Sequence, residues 1–101
     1  MKKQVRDKTW FIIAYDVKNP SRLRKVSKHL EGYGYRIQYS IFRCRLSKRQ
    51  IARLKWELAQ IIDSEDSILI TPVCATCFNQ LETMGILEKW ESQEGLTYFL
   101  F

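Results

Sequence analysis

Apolar and polar positions change period along the chain, and the changes mark its elements. Residues 9–17 (TWFIIAYDV) are β-branched, aromatic and almost wholly apolar. That pattern predicts a strand buried on both faces, hence central in a sheet. Asn19 followed by Pro20 predicts a helix start, because Asn caps free N–H groups and Pro tolerates the first helical position. Leu23, Val26 and Leu30 then form an apolar stripe, with Arg22, Arg24, Lys25 and Lys28 around it. Gly32 and Gly34 are expected to end that helix through the positive φ that glycine accepts. Residues 35–46 (YRIQYSIFRCRL) alternate enough to be extended, as one bent strand or two short ones with a bend near Tyr39–Ser40.

Ser47 and Gln50 have the spacing of an S-x-x-Q capping box. The helix they open carries the stripe Ile51, Leu54, Leu58, Ile61 and Ile62. Asp66–Cys74 reads as the next strand, with Pro72 placing its end near an edge or exit. A short helix is expected around Phe78 and Leu81. The tail Gly95–Phe101 reads as a last strand, apolar on both faces. Such a strand needs a sheet to join, since exposed to solvent it would invite aggregation. The order predicts an α+β ferredoxin-like sandwich (βαββαβ) with an extra C-terminal strand and both helices on one face.

At 101 residues the chain has room for one domain, 1–101, and a domain of that size gains from dimerisation. A hydrophobic fraction of 46% with 13% aromatics argues against disorder. No apolar run reaches the ~18 residues of a membrane span, and MKKQVRDK lacks the apolar core of a signal peptide. A cytoplasmic location without membrane contact is therefore expected. Three cysteines fit reduced thiols better than a disulfide framework.

Charge sharpens the picture. Residues 1–56 hold sixteen Lys/Arg against three Asp/Glu, leaving +13; residues 57–101 hold one Lys against eight Asp/Glu, leaving −7. A half so basic points to phosphates, whose neutralisation releases condensed counterions. A merely solvated basic surface is the plainer reading.

The strand IIAYD, the helix SRLRKVSKHLEGYG, and the stretches RIQYSIFRCRL and DSILITPVC together resemble the CRISPR-associated protein two family over about residues 10–78. Members are small partners of the CRISPR integrase and are often labelled endoribonucleases. The resemblance implies a ferredoxin-like homodimer with facing sheets, in which residues 95–101 extend the partner protomer's sheet. It implies that Asp16 is a metal-linked acidic residue with Tyr15 its neighbour, and that Arg36 and Phe42 are recurrent positions of an R-x-Q-x-S-x-F stretch. Basic residues early in the first helix, here Arg22, Arg24 and Lys25, are also implied. Leu23 departs from relatives that carry arginine there.

One aspartate per chain is too few for magnesium, which takes octahedral oxygen ligands, usually one or two carboxylates plus waters and phosphate oxygens. A two-fold axis beside Asp16 would supply two carboxylates to Mg²⁺ or Mn²⁺. Alternatively Asp16 caps a turn. Arg22, Arg24, Lys25, Lys28, Arg36, Arg43 and Arg45 suit phosphate tracking along DNA or RNA, without reading sequence. Tyr33, Tyr35, Tyr39 and Phe42 could stack on bases but are expected to pack in the core or an interface. Cys74-x-x-Cys77 lacks a second pair for zinc, so half-buried structural thiols are expected. Two functional classes remain: a metal-dependent endonuclease working through Asp16, and a non-catalytic dimeric adaptor bridging integrase (CRISPR-associated protein one) dimers and holding spacer DNA.

Overall fold

A computed structural model describes residues 8–82 and Met84. Its elements are β1 (Thr9–Asp16), α1 (Pro20–Glu31), β2 (Gly34–Gln38), β3 (Ile41–Leu46), α2 (Lys48–Ile61), β4 (Ser67–Val73) and a short α3 (Ala75–Asn79). The four strands form one antiparallel sheet in the order β2-β3-β1-β4. That is the ferredoxin-like arrangement expected, with β1 central and β4 at an edge, where Pro72 is tolerated. The bend at Tyr39–Ser40 separates β2 from β3, and a register shift between Arg36 and Gln38 precedes it. The tail at 95–101 lies outside the described residues.

Both helix starts follow their local chemistry. The Asn19 side chain accepts from the N–H groups of Ser21 at 2.8 Å and Arg22 at 3.0 Å. At α2 the capping box is closed both ways: Gln50 N–H donates to Ser47 Oγ at 3.1 Å, and Ser47 N–H donates to Gln50 Oε1 at 2.9 Å. The end of α1 differs from expectation. Gly32 has φ −80° and stays right-handed, so positive φ plays no part there. Gly34 serves close approach instead: a Cβ at that position would collide with the Arg43 carbonyl oxygen and lie 2.6 Å from Cys44 Sγ. Glycine lets β2 lie against β3.

One face of the sheet meets α1 and α2. Ile13, Tyr15 and Val17 from β1 and its exit pack with Phe42, Cys44 and Leu46 from β3. Val26 and Leu30 of α1 and Ile51, Leu54 and Leu58 of α2 close this core. Among the described residues, the other face is covered only in part. There Phe78 of α3 stacks on Trp10, ring centroids 4.1 Å apart and nearly parallel. Ile12 and Ala14 remain half-buried, and Leu69 is 62% exposed. So β1 is central but, by the described residues, well buried on a single face.

Candidate nucleic-acid interface

Asp16 ends β1, opposite Ser67 of β4. Its side chain is 69% exposed and pairs with the Lys18 ammonium at 3.2 Å. Among the described residues no three His, Cys, Asp or Glu side chains gather as a metal site. Asp16 thus belongs to no such cluster among the described residues, and a cation beside it would have to be displaced by any metal. Tyr15, one residue earlier, is buried; its main-chain N–H donates to the Ser40 carbonyl at 3.1 Å, tying β1 to the β2–β3 turn.

The seven basic residues named from the sequence do not share one surface. Arg24, Lys25 and Lys28 are exposed on α1 and line a surface cavity of about 480 Å³ with Ser21, His29 and Ile61. Arg24 also lines a second cleft, of about 280 Å³, with Ser27, Arg36 and Tyr39. Arg36 is fixed in that cleft. Its guanidinium donates to Ser27 Oγ and to the Tyr39 carbonyl, each at 2.6 Å, and lies 5.0 Å from the centroid of the Phe42 ring. Phe42 is fully buried and opposite Arg36 in the strand register, which makes it the platform for that guanidinium.

Arg22, Arg43 and Arg45 lie elsewhere. Arg22 reaches across to the loop before β4, where Nε donates to Asp66 Oδ2 at 2.7 Å and NH2 to Glu65 Oε2 at 2.8 Å; Asp63 lies at 3.6 Å. Asp66 in turn accepts from the main-chain N–H groups of Lys18 (3.1 Å) and Asp63 (2.8 Å), and its side chain is wholly enclosed. The Arg22 guanidinium holds the Asp66 carboxyl far below the ordinary carboxylate range, and that carboxylate raises Arg22 in return. This cluster staples the end of β1, the start of α1 and the loop into β4. Arg43 is 1% exposed on the sheet face away from the helices, its guanidinium near the rings of Tyr35, Trp10 and Phe78. Arg45 is exposed on that same face, opposite Trp10.

The sequence reading missed the acidic side of this arrangement. Asp63, Glu65 and Asp66 lie more than forty positions from Arg22, and no local spacing links them. Glu57 likewise joins His29, Tyr33 and Arg53. Of the four aromatics, Phe42 is buried in the core, whereas Tyr39 is 78% exposed and Tyr35 is also exposed, which leaves the interface half of the expectation for those two. One expectation is corrected. Cys74 and Cys77 are exposed rather than half-buried.

Residues 9–81 match the family model described as CRISPR associated protein Cas2. The chain belongs to the Cas2 family. Among similar curated proteins, the CRISPR-associated endonuclease Cas2 of Halalkalibacterium halodurans is 45% identical over 93 residues, covering 86% of this chain and 97% of the relative. The CRISPR-associated endoribonuclease Cas2 3 of Synechocystis is 40% identical over 76 residues, 74% of this chain and 83% of its own length. Among solved structures, Streptococcus pyogenes Cas2 superposes with a TM-score of 0.70 at 34% identity, covering 75% of this chain and 99% of that one. The family resemblance carried by IIAYD and RIQYSIF is thus matched by the comparisons, and Cas2 structures share the ferredoxin-like sheet. No described helix is long and apolar enough to cross a membrane.

Proposed function

We propose that this Cas2-family chain acts as a homodimer that binds nucleic-acid phosphates within the spacer-acquisition complex. In that reading it holds spacer DNA across its basic surface beside the CRISPR integrase, CRISPR-associated protein one. The observation that carries the reading is the position of Arg24 between two clefts, which joins Arg24, Lys25, Lys28 and Arg36 into one basic tract. Tyr39 borders the tract and offers an exposed ring to an unpaired base. Phosphate contacts fix position without reading sequence, so binding to duplex DNA should be sequence-independent.

The test is affinity against salt. With ~6 phosphates neutralised by a dimer, affinity should fall on the order of a thousandfold from 50 to 200 mM salt. Replacing Arg24, Lys25 and Lys28 with alanine should weaken binding and flatten that dependence, leaving thermal stability nearly unchanged. Equal salt slopes for wild type and triple variant would make the tract ordinary solvated surface.

A second reading, metal-dependent cleavage of RNA or DNA, is favoured by the exposure of Asp16 at the end of β1 and by the endonuclease and endoribonuclease names of the relatives. One protomer does not fit magnesium well, because it brings a single carboxylate already paired with Lys18. Two Asp16 side chains meeting across a dimer axis would. Bound there, Mg²⁺ or Mn²⁺ would supply Lewis-acid polarisation of a phosphate and an activated water. The Asp16 pair would hold the ion, and the basic tract would hold the strand. Asp16→Asn should then abolish cleavage by purified protein while DNA binding persists or tightens. Equal cleavage by wild type and variant would assign the activity to a contaminant and leave the adaptor role.

A further inference from the structure

The Cys74-x-x-Cys77 pair takes no part in the basic tract or the Asp16 site, and its exposure removes the packing role first expected of it. Cys74 caps α3 with an extended backbone. The first turn is fixed by the Phe78 N–H donating to the Cys74 carbonyl at 2.9 Å, and the Cys77 N–H reaches Cys74 Sγ at 3.4 Å. Both thiols are free and exposed, and the Cys77 N–H is aimed at the Cys74 sulfur, so the pair sits on one side of the turn. Residues three apart on one helical turn lie within the reach of a disulfide. The turn is anchored, because Phe78 next to Cys77 is buried and stacked on Trp10. The third thiol is a contrast within the same chain: Cys44 is sealed in the core, and burial pushes it up to about 12.

We propose that Cys74 and Cys77 form a redox-active dithiol that exchanges with low-molecular-weight disulfides, Cys74 attacking and Cys77 resolving. Cys74 sits at the cap of α3, where its sulfur accepts the Cys77 N–H; that contact favours a thiolate at Cys74 and lowers its thiol, while the Cys77 thiol is raised, which assigns the two roles. In the first step the Cys74 thiolate attacks one sulfur of the disulfide RSSR. A protein–SR bond forms, the S–S bond breaks, and RS⁻ leaves to take up the proton that Cys74 released. Cys77 then gives its proton to solvent and attacks Cys74 Sγ, expelling the second RS⁻, which is protonated in turn. The protein dithiol loses two electrons and two protons, and RSSR becomes two RSH. Closure ties the end of β4 to the helix whose Phe78 covers Trp10.

The test uses the full chain and glutathione disulfide. Intact-protein mass should show wild type losing two hydrogens without retaining glutathione, with dithiothreitol reversing the change. Cys77→Ser should accumulate one stable glutathione adduct, mapped to Cys74 by peptide mass. Cys74→Ser should react at least tenfold more slowly than Cys77→Ser at neutral pH. Both positions are exposed, so the variants should keep the wild-type unfolding temperature. The proposal is overturned if wild type carries two separate glutathiones or none, or if the two serine variants react at equal rates.

Discussion

Gly34 is a residue where backbone geometry leaves little freedom. Its missing Cβ would meet the Arg43 carbonyl oxygen and lie 2.9 Å from Cys44 Cα, both on β3. Backbone cannot swing aside as a flexible side chain can, so Gly34→Ala must push β2 off β3. Overpacking of this kind costs about 1–3 kcal/mol, and we expect the upper half of that range. A urea midpoint unchanged from wild type would show that β2 can shift without penalty. The same residue marks a limit of sequence reading. Glycine after a helix suggests a positive-φ stop, whereas its use here depends on Arg43 and Cys44 of β3, nine and ten residues later. Arg22 and Arg43 repeat the lesson. Each was counted with the phosphate contacts because composition cannot distinguish an arginine on the surface from one pinned by Asp66 or enclosed by Trp10, Tyr35 and Phe78.

Elements were far more legible than side-chain partners, because their signals are local. Asn19–Pro20 and the Ser47/Gln50 pair set both helix starts within four residues of chain, and the structure repeats them bond for bond. How α1 and α2 are joined was not legible, since the bonds span 24 and 28 positions. The Glu57 carboxylate accepts from Tyr33 Oη at 2.7 Å, meets His29 Nε2 at 2.7 Å, and accepts from Arg53 Nε at 3.1 Å. With Tyr33 as the largest cause, then His29, these partners lower Glu57 from an ordinary 4.5 to about 2. A carboxyl lowered on folding stabilises the fold above its unfolded value and ceases to do so as pH falls through the folded one. The unfolding temperature should therefore drop between pH 4.5 and 2. Glu57→Gln should start lower at pH 7 and fall less steeply through that window, the remaining slope belonging to groups such as Asp66. Parallel pH curves for variant and wild type would remove Glu57 as the cause.

At the scale of the whole molecule, the split between a basic and an acidic half is partly internal bookkeeping. Asp63, Glu65 and Asp66 neutralise Arg22, and Glu57 answers Arg53, so several charges of opposite halves meet within one protomer. What remains outward on α1 is the tract around Arg24. Among the described residues, the sheet face away from the helices is also left partly open, with Leu69 exposed beside half-buried Ala14. A homodimer with facing sheets would cover that face, and a stable interface buries about 1,200–2,000 Å² in total. Leu69→Asp tests it without entering the core, because the side chain points away from α1 and α2. Sedimentation of the variant should give monomers at concentrations where wild type is dimeric, with an unchanged far-ultraviolet spectrum. Deleting residues 95–101 should act in the same direction if those residues extend the partner's sheet. A monomer would also separate the two Asp16 carboxylates. Any metal-dependent cleavage should then disappear with the dimer, whereas phosphate binding through Arg24, Lys25 and Lys28 should weaken only as far as half a binding surface requires. If Leu69→Asp and the truncation both sediment as wild type, the open face is not the interface, and the paired-carboxylate reading of Asp16 goes with it.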